Sequence, residues 1–205
     1  MRRNANMTVS SFLFPGSGAA AALLFFFTAG ISAGVFMELF LAAPEKLLLA
    51  DYLNSRLFAA ETSASASSVF LSSAAGNLGF LLLLFLAGAS VVGFPAVFLA
   101  LAGKGLALGF SSALLLQSMK AQGAAVLLLS VFPQHLILLP TFLAAAAAAA
   151  TVASRAASER SRGIKKSLAQ MAGSYCSLFA VLAALTLAGS AVEAFIAPAL
   201  LQLIK

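Results

Sequence analysis

Long stretches without a charged residue constrain this chain more than any other feature. They cover residues 4–37, 62–103, 105–119, 121–154 and 167–192. Most of these runs exceed the roughly 20 apolar residues that a helix needs to cross a bilayer. The chain is 62% hydrophobic and 9% charged, whereas soluble domains are about 45–50% apolar and about 25% charged. The sequence therefore predicts an all-α, polytopic transmembrane helix bundle with about five apolar passes and no soluble domain.

The few charged residues predict how the bundle is oriented. Arg2 and Arg3 place the N-terminus (1–18) in the cytoplasm, ahead of a first crossing at 19–41. That apolar run is too long for a cleaved signal peptide, so we expect an uncleaved anchor. Five of the twelve basic residues form one loop at 155–166, and we interpret them as a cytoplasmic anchor rather than a nucleic-acid site. The residues are Arg155, Arg160, Arg162, Lys165 and Lys166.

The most hydrophilic segment, 43–75, has no excess of basic residues, and we expect it outside the cytoplasm. Leu49, Leu53 and Leu57 follow helical spacing and predict an amphipathic helix over 44–60. The second crossing is predicted over 76–101, kinked at Pro95 and ending at Lys104 on the inner surface.

The middle of the chain is harder to assign, because 105–119 is short for a crossing and 121–154 is long. Either both segments cross, with the second kinked at Pro133 and Pro140, or both are re-entrant. The two alternatives place Lys120 on opposite sides of the membrane. Residues 167–189 would then cross outward, followed by an outer interfacial tail at 193–205.

Residues suited to catalysis or metal binding are scarce. One histidine, His135, and one cysteine, Cys176, provide neither a zinc set nor an intramolecular disulfide, and none of the common catalytic motifs is present. We therefore predict a protein that is not an enzyme and that uses no cofactor or metal.

Three features remain as candidates for a specific role. Gln134 and His135 lie between two prolines at membrane depth, where they would serve as a relay or satisfy the backbone of a broken helix. Glu193 either pairs with another group or marks the water boundary. The motifs Gly30-x-x-x-Gly34 and Gly105-x-x-x-Gly109 would pack the bundle or build a homodimer, and packing is favoured.

An ordered set of short motifs resembles a known family, stage II sporulation protein M of endospore-forming bacteria. No single motif is specific to this family, but the order of the motifs in a chain of this length is specific to it. The set comprises the apolar run 80–86, Gly88, Gly93-Phe94-Pro95, Gly103-Lys104-Gly105, Gly109-Phe110, Pro133-Gln134-His135, Pro140, a basic loop and the stretch 192–198 with Glu193, Phe195 and Pro198.

The resemblance implies a non-catalytic scaffold of the engulfment complex. In this family the protein sits in the mother-cell membrane at the septum and engulfing membrane, with stage II sporulation proteins D and P as its peptidoglycan-hydrolase partners. We expect docking through the outer segment and tail. The candidate docking residues are Leu49, Tyr52, Leu53, Leu57, Glu193 and Phe195.

The chain departs from the wider family at one point. Relatives tend to read Pro-His-Gly-x-x-Glu-x-Pro where this chain has Gln134 and Leu138 at the His and Glu positions. This departure weakens the alternative function, a small transporter or permease-like subunit with a pathway near 133–140. It leaves the scaffold interpretation intact.

Overall fold

A computed structural model describes residues 17–59, 66–90, 93–160 and 166–201. Outside short turns, these residues are helical, which confirms the predicted all-α fold. The helices are α1 (Ser17–Leu39), α2 (Ala43–Ala59), α3 (Ala66–Ala89), α4 (Gly93–Val126), α5 (Phe132–Arg160), α6 (Lys166–Ala191) and α7 (Ala197–Leu201), with π-helical turns at Leu127–Val131 and Val192–Ile196. The predicted N-terminal segment up to residue 16 and residues 161–165 of the basic loop lie outside the described residues.

Four helical segments are long and apolar enough to cross a membrane: Gly18–Leu39, Ala66–Ala89, Gly93–Ser158 and Ala172–Leu200. The third is 66 residues long, and it reverses direction at Lys120, whose φ of 50° and ψ of −120° break the helix. Beyond the break, Gly123 lies against the backbone of Leu115 and Leu116. In a straight helix residues 115 and 123 would be about 12 Å apart along the axis. The segment therefore folds back into two helical passes, which gives five passes in the part of the chain that the structure describes.

The reversal at Lys120 lies at the same end of the bundle as α2. The Lys46 ammonium is 2.9 Å from Oε1 of Gln117, near the end of the first of these passes, and 3.1 Å from Oε1 of Glu38 at the end of α1. This arrangement agrees with the alternative for the middle of the chain in which both segments cross. The first pass is long enough because it begins at Gly93 rather than at Gly105, so it provides about 40 Å of helix.

The prediction of a second crossing over 76–101 is therefore wrong in its bounds. Helix α3 ends at Ala89, and a turn begins there in which the Ser90 carbonyl accepts a hydrogen bond from the Gly93 amide at 3.1 Å. Gly93 is required at this point, because a Cβ would collide with the carbonyl of Ala87. Pro95 lies in the first turn of the new helix α4, where proline is tolerated, and does not kink a crossing.

Helices α1 and α4 run parallel and approach each other at the two glycine motifs. A Cβ on Gly30 would meet the carbonyl of Ala102, and one on Gly34 would lie 2.7 Å from the amide nitrogen of Phe110. Gly105 and Gly109 in turn lie against the α1 backbone at Phe27 and Ile31. Both motifs are thus used within one chain, where small residues let helix backbones come into contact.

The rest of the core surrounds α5. Ala145–Ala150 are all buried, and Ala149 lies against Gly88 of α3, where an added Cβ would be 2.7 Å from the Ala149 Cα. The hydroxyl of Tyr175 in α6 donates to the Phe85 carbonyl of α3 at 3.0 Å, and the two rings stack at 5.0 Å. These contacts fasten α3, α5 and α6 together at the end of the bundle opposite α2.

We expect Gly105→Ala to destabilise the bundle and Gly103→Ala to leave it as stable or slightly more so. A Cβ at Gly105 meets α1 backbone, whereas one at Gly103 has nothing within 4 Å. Overpacking against backbone costs about 1–3 kcal/mol, while alanine in an open helical position is favoured over glycine. Thermal unfolding of the two purified variants in detergent measures the difference. Equal midpoints for these neighbouring variants would contradict the packing.

We expect cysteines at Ser55 in α2 and at Lys120 to be labelled from the same side of the membrane, and one at Ser158 from the other. The background is Cys176→Ser, which removes the native thiol. A membrane-impermeant maleimide applied before and after permeabilisation distinguishes the sides. Labelling of Lys120→Cys together with Ser158→Cys would instead indicate re-entrant segments.

Candidate functional site: a polar cavity inside the bundle

A lysine lies deep in the bundle, not at its surface. Lys104 is about three helical turns into α4, and its ammonium donates to Oδ1 of Asn77 in the middle of α3 at 3.2 Å. The prediction that Lys104 marks the inner membrane boundary is therefore wrong. It failed because the turn at Ser90–Gly93, and not Lys104, ends the second crossing.

Two aromatic rings complete the surroundings of this charge. The Lys104 ammonium is 5.3 Å from the centroid of Phe80 and 5.1 Å from that of Phe142, and the two rings meet edge to face at 4.9 Å. A cation within about 6 Å of a ring face is stabilised by the ring quadrupole, and more so when it is desolvated. The rings partly offset the cost of placing an ammonium at membrane depth.

Asn77 connects the lysine to a carboxylate. Its amide donates to the hydroxyls of Ser73, at 3.2 Å, and Ser190, at 3.3 Å. The Ser73 hydroxyl in turn donates to the Glu193 carboxylate. A chain of hydrogen bonds thus links Lys104 on α4, through α3, to Glu193 in the π-helical turn after α6. Polar networks inside a bundle are stable only when their members find partners.

Beside this network lies a cavity of about 310 Å³. It is lined by α4, by both π-helical turns and by the start of α5. Its polar lining consists of Lys104, Ser111, Ser112, Gln134, His135 and Glu193. The cavity brings the two sequence-predicted polar features, 134–135 and Glu193, into one site, although they are far apart in the chain.

Proline explains why both π-helical turns form where they do. Pro133 and Pro198 each follow one turn, and a proline can neither donate to the carbonyl four residues back nor avoid a clash with it. The chain widens there instead, so that the Phe132 amide donates to the Leu127 carbonyl and the Ala197 amide to the Val192 carbonyl. Such turns are frequent at functional sites, and here they carry Val131 and Glu193 into the cavity wall.

His135 and Gln134 differ in how their side chains are satisfied. The Nδ1 of His135 is 2.7 Å from the Val131 carbonyl, so Nδ1 carries the proton and donates. In the neutral ring, Nε2 is then a hydrogen-bond acceptor. Gln134 is 9% exposed, and its Oε1 is buried without a hydrogen-bond partner. The site therefore contains acceptors that a bound group with N–H or O–H donors would satisfy.

The structure also shows where most of the other predicted residues lie. Pro140 is inside α5, where Thr141 bonds the Ile137 carbonyl at 2.7 Å, and Pro198 is in α7. Leu49, Tyr52 and Phe195 are exposed on the bundle. The side chains of Leu53 and Leu57 fall outside the described residues.

Ser73, Asn77 and Ser190 were not among the residues predicted from the sequence. Asn77 carries the one side-chain amide in the strongly apolar helix α3, and this contrast is the sequence feature that could have identified it as a site residue. His135 has no other ionisable residue within ten positions of it in the sequence. The structure supplies a carboxylate to the same cavity from Glu193.

Comparison with known proteins identifies one family. The family model for stage II sporulation protein M matches residues 22–198, which include the whole of the cavity and both glycine motifs. No curated protein and no solved structure matches the chain. The chain is therefore a multipass membrane protein that belongs to the stage II sporulation protein M family.

Proposed function

We propose that this protein is a non-catalytic membrane scaffold that recruits the peptidoglycan hydrolases called stage II sporulation proteins D and P. In this role it localises them at the septum and the engulfing mother-cell membrane, where the septal wall is thinned and the membrane migrates around the forespore. Membership of the sporulation family supports the proposal. The observation that carries it is the way α2 is held on the bundle.

One side of helix α2 contacts the bundle, and the other side is exposed. Lys46 holds it to Glu38 and Gln117, and Ala50 is buried against the bundle. Leu47 and Leu48, by contrast, are 72% and 74% exposed. An amphipathic helix with an uncovered apolar face suits a partner that offers an apolar groove.

The positive-inside rule supports placing α2 on the wall side. Arg155 ends the long apolar part of α5, at the end of the bundle opposite α2, and four more basic residues follow it in the sequence by residue 166. Basic residues concentrate on the cytoplasmic side of membrane proteins. In this orientation α2 and the end of α7 face the peptidoglycan, where the hydrolases act.

We expect the double variant Leu47→Ser/Leu48→Ser to lose co-purification of both hydrolases while its level in the membrane is unchanged. The substitutions remove the exposed apolar face and retain Lys46 and Ala50, which hold α2 in place. Detergent pull-down from sporulating cells, with quantitative mass spectrometry, measures partner recovery. Loss of the apolar anchors of an interface lowers affinity by on the order of tenfold or more.

The matched control is Ser55→Ala, an exposed position on the same helix, and it should recover both partners. Replacement of residues 44–61 by a Gly/Ser linker provides a broader variant with the same expected loss. Full recovery of both hydrolases by the double variant and by the linker variant would remove α2 from the mechanism.

The cavity favours one other function, a small transporter or permease-like subunit with a pathway near 133–140. The supporting observation is the placement of Lys104, His135 and Glu193 around one space inside the bundle. Ionisable groups at membrane depth often mark substrate or proton pathways. The scaffold proposal, in contrast, requires nothing of these side chains beyond folding.

The variants Gln134→Ala and His135→Ala separate the two functions. We expect both to support normal engulfment and normal recovery of the hydrolases, as a scaffold requires. Gln122→Ala, at an exposed position outside the cavity, serves as the control. Failed engulfment with full recovery of the hydrolases would favour the pathway, and time-lapse microscopy of sporulating cells with a membrane dye scores the result.

A further inference from the structure

The polar cavity opens beside a second, apolar cavity of about 400 Å³. The two share wall residues, among them Ser112 and His135. The apolar cavity is also lined by Leu116, Leu128 and Phe132, which are 44%, 66% and 60% exposed on the outside of the bundle. In a membrane these side chains face the acyl chains of the bilayer. A continuous surface therefore leads from the lipid to the half-buried charged groups of Lys104 and Glu193.

The polar cavity carries one positive and one negative group together with unsatisfied acceptors. Lys104 uses one of its three N–H groups on Asn77. Glu193 accepts a hydrogen bond from Ser73, while Oε1 of Gln134 is buried without a donor. With Nδ1 of His135 bonded to Val131, its Nε2 is a further acceptor. These groups match a ligand that carries an anion beside a cation rich in N–H donors.

We propose that the two cavities together bind one aminophospholipid of the phosphatidylethanolamine type, taken up from the bilayer. The primary ammonium of its headgroup lies among Glu193, Gln134 and His135, and its phosphate lies on the side of Lys104. One acyl chain occupies the apolar cavity at Leu128 and Phe132. A quaternary choline headgroup has the same charges but no N–H group, so it offers no donor to Nε2 of His135 or to the Gln134 oxygen.

The proposal adds a ligand to the bundle and does not depend on the hydrolase partners. The residues that hold α2, Lys46 and Ala50, lie outside both cavities. Binding is therefore tested on the purified chain alone, and the result does not bear on docking. Conversely, loss of docking in an α2 variant does not bear on the lipid.

The test is native mass spectrometry of the purified full chain after exchange into mixed lipids with identical acyl chains. The lipids are phosphatidylethanolamine, its mono- and dimethyl derivatives and phosphatidylcholine, which lose N–H donors step by step. We expect phosphatidylethanolamine to be retained over phosphatidylcholine by on the order of tenfold, with the methylated lipids between them. Equal retention of the four lipids would overturn the proposal.

Variants locate the site. Gln134→Leu and the near-isosteric Glu193→Gln should both abolish the preference, whereas Gln117→Leu, the same chemical change outside the cavity, should keep it. If Gln134→Leu fails to fold by size-exclusion chromatography, Glu193→Gln decides. A preference that persists in Glu193→Gln would overturn the proposal.

Competition separates the headgroup from the whole lipid. Soluble glycerophosphoethanolamine carries the same phosphate and ammonium without acyl chains. We expect it to compete only at far higher concentration than the lipid, because the apolar cavity contributes to binding. Competition at equal concentration would show that a small zwitterion suffices, and would overturn the two-cavity site.

Discussion

The ammonium of Lys104 is the constraint around which the bundle is organised. A charge at this depth is costly in lipid, so neighbouring helices must supply a hydrogen-bond acceptor and polarisable rings. Asn77 of α3 supplies the acceptor, while Phe80 of α3 and Phe142 of α5 supply the rings. The lysine thus fixes α3, α4 and α5 against one another. Through Asn77 and Ser73 the same network reaches Glu193, so it also positions the π-helical turn that follows α6.

The prolines determine the backbone geometry around the cavity, whereas Lys104 determines which side chains surround it. At each π-helical turn a backbone amide donates to the carbonyl five residues back instead of four. The chain therefore stays helical on both sides of the proline, within the membrane-spanning segment. The widened turns displace the following side chains around the helix axis. The cavity is consequently a product of backbone geometry as well as of side-chain chemistry, since its walls include residues of both turns.

The fold could be predicted from sequence largely because its main signal is strong. Uncharged runs of bilayer length define the number of passes, and the glycine motifs indicate close helix contacts. The boundary of the second crossing could not be predicted, since the turn at Ser90–Gly93 lies inside one continuous apolar run and breaks no hydropathy pattern. Lys104 was misassigned for the same reason. The cavity could be predicted only in parts, because Gln134 and Glu193 become neighbours through tertiary packing alone.

The buried alanines of α5 have a consequence for how the bundle assembles. Alanine has no side-chain rotamers to lose, so packing Ala145–Ala150 against neighbouring helices costs almost no side-chain entropy. In lipid, where helix association gains little from the hydrophobic effect, that saving favours the assembled state. These positions also differ in how they respond to substitutions that remove volume and to substitutions that add it. Little volume can be removed from these positions, whereas almost any substitution adds volume, so variation there is limited to residues as small as alanine.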